Sequence, residues 1–492
     1  MNKISIIGAG ISGLTCGIYA QLNGFETEIY EAHTIPGGEC TGWDRGGYHF
    51  DGCLHWLTGS KPDTDLYDLW RTTGALSDDV IIHNHEIFAR YEEGERYVNL
   101  YTDADKLEKH LLELSPEDKR EIKRLCRDIR KIGTMSAPMS KPMDLMSPWE
   151  LLSYMSKNMG AFLAMSKYSK LSLIDYCKRF KSPLIGRALV SSVPGDYQAY
   201  VPIITLGGMN QGDLGFPVGG SRAMAKRMEQ RYLSLGGKVH YKSRVKTVLI
   251  ENNAAVGLRL ENGAETRSDY VISCADAHAT FYKMLEDRYT PEVYRNLFEN
   301  PTGRYLPTCA MVYMGINCEL PDTYRQLKFP RQLPARLCGR TYDDVEFLCY
   351  NFDYTLMPKG KSIVASYYLA NYDDWRLLNK EQYAAYKEQL RQDAVAALLE
   401  RYPQTDGKIE TIDVVTPMTY VRYCDAWRGA WMTWPQGKGV PQYFPGKLEG
   451  LDGFLLASMW AMPPGGLPSA AAAGRFAAHR LTLAEGREFV TA

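Results

Sequence analysis

Residues 4–13, Ile4-Ser5-Ile6-Ile7-Gly8-Ala9-Gly10-Ile11-Ser12-Gly13, decide the fold of this chain. The apolar run Ile4 to Ile7 predicts a short buried strand, and Ile11 to Asn23 predicts a helix that packs on it. A glycine-rich turn between a strand and a helix is the arrangement that binds the pyrophosphate of a dinucleotide.

The three glycines of that turn have separate physical tasks. Gly8 permits the tight turn, Gly10 lets the backbone approach a pyrophosphate, and Gly13 allows close packing of helix on strand. The helix N-terminus at Ile11 and Ser12 adds free N–H groups and a positive dipole. We therefore expect these five residues to contact the cofactor.

An acid follows at the expected distance. The predicted strand Glu26 to Tyr30 ends just before Glu31, roughly 20 residues beyond the glycine turn, where a carboxylate accepts hydrogen bonds from ribose hydroxyls. The simpler alternative is a glycine-rich turn with an unrelated acid downstream. Strand, helix and acid together favour the nucleotide site.

The bulk properties exclude several classes of protein. The chain has 492 residues, of which 45% are hydrophobic and 23% are charged, and its net charge is −1. The length predicts two or three structural units. The balanced charge argues against nucleic acid as a partner. The 11 cysteines form no Cys-x-x-Cys pair and no metal-ligand spacing with histidine, which predicts reduced thiols and no metal site.

The hydropathy pattern predicts no membrane-spanning helix, because no stretch reaches about 18 uninterrupted apolar residues. The run from Ile4 to Ala20 follows Lys3 and is similar to a signal peptide, but its glycines and the lack of a small-residue cleavage site favour strand, turn and helix. We expect a cytoplasmic protein whose membrane contact, if any, is peripheral.

Two further glycine-rich segments carry a family resemblance. Pro36-Gly37-Gly38-Glu39-Cys40-Thr41-Gly42-Trp43, followed by Tyr48 to Asp51, resembles the paired-glycine turn of FAD-dependent amine oxidases and phytoene desaturases. The segment Phe454 to Pro468 resembles the C-terminal flavin-binding segment of the same superfamily. With Phe216 to Ser221, the chain is most similar to the phytoene desaturase, carotene isomerase and retinol saturase group.

The resemblance implies FAD as cofactor and adds candidate contacts. The paired-glycine turn adds Gly37, Gly38 and Glu39, and the terminal segment adds Met459, Gly466 and Leu467. By the same resemblance, Val245 would meet the adenine and Ala275 would lie near the nucleotide. Two departures concern charge: Glu39 stands where the superfamily often has arginine, and Ser458-Met459 replaces a Gly-Asp or Gly-Glu pair.

The order of predicted elements gives an α/β fold: a discontinuous Rossmann-type FAD-binding domain with a mixed α+β substrate domain and a helical insert. The FAD-binding domain is predicted to comprise residues 1–80, 215–300 and 440–492. The substrate domain comprises 81–214 and 301–439, and its helical insert runs from Asp103 to about Tyr200.

Residues Phe216 to Gly220 are predicted to form a turn, and Ser221 is predicted to cap a helix that continues through Leu235. Strands are predicted after it at Val245 to Glu251, Ala255 to Glu261 and Tyr270 to Ser273, with Asn252-Asn253 separating the first two.

One residue is a candidate for a role in catalysis. His55 follows the segment that in the family reaches the flavin, so it is a candidate proton handler. The alternative is a hydrogen-bonded structural histidine. Methionines between Met135 and Met165 predict a flexible apolar lid or, equally, a helical core seam.

Three functions are compatible with these residues. The first is an FAD enzyme that desaturates, saturates or isomerises C=C bonds of an apolar isoprenoid or lipid-like substrate. The second is an amine or amino-acid oxidase, and the third is a flavin- and lipid-binding protein without turnover. The Pro-Gly-rich terminal turn favours the first.

Overall fold

The computed structural model describes residues 2–135, 138–193, 197–300, 306–321, 324–435, 440, 444 and 446–491. The helices are α1 Ile11–Leu22, α2 Asp65–Thr72, α3 Ala104–Leu114, α4 Lys119–Ile132, α5 Pro148–Ser166, α6 Leu173–Cys177, α7 Pro183–Ser191, α8 Tyr200–Asn210, α9 Gly220–Ser234, α10 Glu292–Glu299, α11 Lys380–Arg401, α12 Pro417–Cys424 and α13 Leu467–Ala484. None of the helices in these ranges is long and apolar enough to cross a membrane.

The strands form five sheets within the described ranges. They are β1 Lys3–Ile7, β2 Glu26–Tyr30, β3 Gly42–Arg45, β4 Tyr48–Asp51, β5 Leu57–Thr58, β6 Ile82–His83, β7 Ile87–Glu93, β8 Arg96–Tyr101, β9 Leu214–Pro217, β10 Lys238–His240, β11 Val245–Glu251, β12 Ala254–Leu260, β13 Glu265–Arg267, β14 Tyr270–Ser273, β15 Cys309–Ile316, β16 Gln326–Leu337, β17 Arg340–Cys349, β18 Ser362–Leu369, β19 Ile409–Val415 and β20 Phe454–Leu456.

A parallel sheet in the order β10-β2-β1-β14-β20 contains the strand, β1, that precedes the first glycine turn. Its strands come from three distant parts of the chain, and β14 joins them by pairing with β1 on one side and β20 on the other. Helices α1, α9 and α13 contribute buried residues to the same hydrophobic core. The mixed α/β fold class predicted from the sequence is confirmed.

A larger sheet of mixed pairing lies in the second part of the molecule, in the order β19-β15-β18-β17-β16-β7-β8. Helix α11 packs on it through Leu390, Ala394 and Leu398, which share a core with β15 and β18. Helices α3 to α8 build a separate core with β7 and β8. The domain boundaries predicted at residues 301 and 439 fall outside the described residues, and the division into domains stays a prediction.

Two local expectations are wrong. Helix α9 begins at Gly220 with Gly219 as N-cap, so Ser221 is not the cap. Instead the Ser221 hydroxyl donates to Asp51 Oδ1 at 2.8 Å, a tertiary contact that the sequence pattern could not show. Phe216 and Pro217, expected in a turn, end strand β9, which pairs with both β5 and β6.

Candidate flavin site

The first glycine turn has the geometry of a phosphate cradle. Gly8 adopts a φ of +94°, and a Cβ on Gly13 would collide with the Gly8 carbonyl oxygen. A Cβ on Gly10 would meet only the Gly37 carbonyl oxygen, at 3.8 Å, so the space in front of this residue is open. The N-cap residue of α1 is Gly10, which has no side chain to accept a hydrogen bond from the first N–H groups of the helix. Among the described residues, nothing accepts from the N–H groups of Ile11 and Ser12.

Glu31 is held directly beside this turn. Its Oε2 accepts from the Ala9 N–H at 2.7 Å and its Oε1 accepts from the His33 N–H at 2.7 Å. The side chain is buried. Each carboxylate oxygen has more than one acceptor site, so Glu31 retains capacity for hydroxyl donors.

The second glycine turn packs against the first. The Gly37 N–H donates to the Ala9 carbonyl at 2.9 Å. A Cβ on Gly38 would lie 3.4 Å from Gly10 Cα, and both Gly37 and Gly38 have positive φ. The two turns are thus adjacent, and Glu39 follows them immediately.

The Glu39 carboxyl beside these turns has a pKa far from its usual value. Burial, together with the nearby Asp276 carboxylate, raises the pKa of Glu39 to about 8. Burial also raises the pKa of Asp276 to about 6, although its oxygens accept from the N–H groups of Ala279 and Trp427. The sequence did not single out Asp276, yet it lies one residue beyond Ala275 at the carboxyl end of a parallel strand, where ligands bind in such sheets.

The terminal segment forms a second helix N-terminus. Gly465 and Gly466 have φ of +88° and +86°, and α13 begins at Leu467 without a side-chain cap. A Cβ on Gly466 would touch only Pro468, at 4.0 Å, whereas one on Gly465 would lie 3.3 Å from Met459 Sδ. The Ser12 hydroxyl donates to the Ala457 carbonyl, which ties this segment to α1.

One polar group beside the terminal turn has no partner within the described part of the chain. The Thr433 hydroxyl is fully buried and unsatisfied, while the Thr433 N–H donates to the Pro464 carbonyl at 2.9 Å. Buried polar atoms normally have partners, so an unsatisfied hydroxyl at this turn points to a bound group.

Val245 and Ala275, both predicted to border the nucleotide, belong to one apolar region. Val245 begins β11 and is buried in one apolar cluster with Ile7 and Tyr30, and Ala275 packs against the same cluster. The Ala275 backbone nitrogen lies 3.8 Å from the position that a Gly8 Cβ would occupy. Ala275 therefore lies close to the first glycine turn, and the contact of Val245 with the adenine stays a prediction.

His55 follows strand β4 and is half-buried. Its ring meets Trp56 edge-on at 6.1 Å, and within the described ranges no hydrogen bond to it is present. Burial and then the Arg325 guanidinium lower the pKa of His55 to about 3. His55 is thus a neutral imidazole at physiological pH. Whether His55 handles a proton or is a structural histidine stays a prediction.

Arg325 is a buried cation that the sequence did not reveal. Its guanidinium donates to the carbonyls of Cys349 at 3.2 Å and Leu54 at 3.3 Å, and it lies 4.4 Å from the centre of the Tyr350 ring. No carboxylate within the described ranges pairs with it. Because Arg325 holds the Leu54 carbonyl, it fixes the segment that carries His55.

These features fit FAD. Two uncapped helix N-termini with open glycine cradles suit a pyrophosphate and the electron-rich edge of a flavin, and Glu31 suits a ribose. The unsatisfied Thr433 hydroxyl supplies a further donor at the second turn. No cluster of metal-ligating side chains exists within the described ranges.

Fold and site together define an FAD-dependent oxidoreductase. A family model described as flavin containing amine oxidoreductase matches residues 11–482, and the chain belongs to this family. It is 24% identical to the chloroplastic prolycopene isomerase of Daucus carota, over 98% of this chain and 80% of that protein. It is 24% identical to the 4,4'-diapophytoene desaturase of Methylomonas sp, over 87% of this chain and 84% of that protein. The fold is similar to that of cyclohexylamine oxidase from Brevibacterium oxydans, with a TM-score of 0.59, 14% identity, and coverage of 99% and 100% of the two chains.

Proposed function

We propose that this chain uses FAD to desaturate, saturate or isomerise C=C bonds in an elongated apolar molecule of isoprenoid or lipid type. The observation that carries the proposal is the end-to-end similarity to a prolycopene isomerase, supported by the similarity to a diapophytoene desaturase. Both relatives are named for reactions of long polyenes.

The two glycine turns would hold the FAD phosphates, Glu31 the ribose, and the turn before α13 the flavin edge. When bound, FAD supplies hydride acceptance and donation. Gly8, Gly10, Gly13, Gly37 and Gly38 leave the backbone accessible, while Val245 and Ala275 would border the adenine side. Met459, Gly466 and Leu467 would border the flavin.

His55 would serve as a neutral polar group in an apolar environment. A general base works best when its pKa is near the working pH, and the pKa of His55, about 3, is far below it. We therefore favour His55 as a side chain that orients the substrate, and Arg325 as the residue that positions it.

Helix α5 would deliver the substrate from a membrane surface. Five of its apolar side chains, at helical spacing on one face, are substantially exposed: Trp149 79%, Leu152 58%, Met155 41%, Met159 50% and Leu163 61%. Its other face buries Asn158, Ala161 and Ala164. A helix with an exposed apolar face can lie in a lipid interface, and an apolar substrate dissolves there.

The test is an anaerobic titration of the FAD-loaded protein, followed by flavin absorbance. A linear polyene such as lycopene, presented in detergent micelles, should perturb the flavin spectrum at micromolar levels, and tyramine or a free amino acid should not. Empty micelles are the control. Bleaching by an amine with no response to any lipid would identify an amine oxidase. A flavin that no substrate perturbs would identify a non-catalytic binding protein.

A further inference from the structure

Cys40 and Cys53 lie on two chain segments that border the candidate flavin site. Cys40 follows the paired-glycine turn directly after Glu39, and Cys53 lies two residues before His55. Both are free thiols; Cys40 is buried and Cys53 is half-buried. Neither residue has a place in the proposed reaction.

The β3–β4 hairpin brings the two cysteines opposite each other. The hairpin turns at Gly46 and Gly47, both with positive φ, and pairs Gly42 with Asp51. One step outward, the Gly52 N–H donates to the Thr41 carbonyl at 2.9 Å. Continued one step beyond the strands, this register puts Cys40 opposite Cys53, and the Cys40 side chain interacts with that of Cys53.

The hydrogen-bond pattern shows which kind of pair this is. Opposite residues of an antiparallel ladder alternate between hydrogen-bonded and non-hydrogen-bonded pairs. Thr41 and Gly52 are hydrogen-bonded, so Cys40 and Cys53 are not. Consistently, the Cys40 N–H donates to the Gly37 carbonyl at 3.0 Å and the Cys53 N–H to Asp51 Oδ1 at 3.1 Å.

Side chains of non-hydrogen-bonded pairs come close together. Their Cα atoms are typically about 4.5 Å apart, within the range of about 4.4 to 6.8 Å that a disulfide spans. The same hairpin already shows this proximity at another such pair, where Asp44 Oδ1 and His49 Nδ1 are 2.7 Å apart.

We propose that Cys40 and Cys53 are the site of a reversible disulfide, formed by a peroxide, that links the two chain segments bordering the flavin. Each thiol loses its hydrogen and one S–S bond forms. The two electrons and two protons reduce one hydrogen peroxide to two water molecules. Hydrogen peroxide is also what a reduced flavin releases when it passes two electrons to dioxygen.

Cys53 is a thiol before it meets an oxidant. The neighbouring Cys40 thiol, burial, and the carboxylates of Asp51 and Glu39 raise the pKa of Cys53. The Cys53 sulfur is therefore protonated at neutral pH, and its reaction with peroxide is slow compared with that of a thiolate.

The experiment treats the FAD-loaded protein with hydrogen peroxide, alkylates remaining thiols and maps tryptic peptides without reduction. We expect the peptide of residues 4–45 to be linked to the peptide of residues 46–71. The mass of the linked product should be two hydrogens lower than the summed mass of the two peptides, and dithiothreitol should separate them. Cys16 and Cys40 share the first peptide, so the mapping is repeated with Cys16→Ser, which must keep the link.

Cys40→Ser and Cys53→Ser must each abolish it, and retained flavin colour shows that these variants are folded. A second thiol pair provides the internal comparison, because Cys274 raises the pKa of Cys16 in the same way without a shared strand ladder. A link to residues 268–283, which contain Cys274, in place of the Cys40–Cys53 link would overturn the proposal. So would oxidation of Cys53 to a sulfinic acid without any link.

Discussion

A substitution at Gly10 should prevent cofactor binding without preventing folding. A Cβ there has room in the protein itself, with its nearest neighbour at 3.8 Å, whereas a Cβ on Gly13 would collide with backbone. We predict that Gly10→Val folds but purifies without FAD, because the branched side chain occupies the space in front of the α1 N-terminus. Visible absorbance reports the flavin and circular dichroism reports the fold. Gly13→Val is the contrasting variant and should fail to fold. A yellow Gly10→Val protein would show that the turn was misassigned.

Glu39 should make stability depend on pH. Its pKa is raised from 4.5 to about 8, so the folded state favours the protonated form. The stabilisation that the folded state gains from protonated Glu39 is fully present below about pH 4.5 and is lost as pH rises to about 8. We predict that Glu39→Gln flattens the pH dependence of the melting temperature across this window, measured by calorimetry of the FAD-free protein. Glu388→Gln, at an exposed carboxylate whose pKa is lowered, is the control. An unchanged profile in Glu39→Gln would contradict the assignment.

At the scale of elements, helix α5 is expected to bind the membrane surface. Replacing Leu152 and Met159 by aspartate should abolish co-sedimentation with phospholipid vesicles, because both side chains lie on its exposed apolar face and charged groups resist transfer into lipid. Leu333→Asp is the matched control, since Leu333 is 81% exposed on strand β16. The fold should persist in both proteins. Binding that survives the α5 double variant would place the lipid contact elsewhere.

The sequence predicts local elements well and tertiary partners poorly. The strand–turn–helix at residues 4–22 follows from the spacing of apolar residues and glycines, and β11, β12 and β14 follow from alternation with Asn252-Asn253 as a turn. The role of Ser221 depends on Asp51, which is 170 residues away. Arg325 next to Leu54 likewise required the folded chain, as no local pattern marks a cation that pairs with carbonyls. The exposed face of α5 has the composition of a buried one, so only the packing showed that Met155 and Met159 lie at the surface and not in a core seam. A lid formed by this segment stays a prediction.

At the scale of the whole molecule, FAD should stabilise a fold assembled from separate chain segments. The central sheet joins residues near 4, 270 and 454 around the two helix N-termini, so a ligand that contacts all three favours the folded state. The terminal turn from Trp460 to Ser469 contains no cysteine or histidine for a covalent link, and binding should therefore obey mass action. Free FAD at about one hundred times Kd adds roughly 2.7 kcal/mol to the free energy of unfolding.

We accordingly predict that acid precipitation releases the flavin into the supernatant and that the melting temperature rises with added FAD. The Gly10→Val protein is the control, and its melting temperature should not respond to FAD. Flavin that stays in the acid pellet would demonstrate a covalent bond. An equal rise in the Gly10→Val protein would show that FAD stabilises the chain at a different place from the first glycine turn.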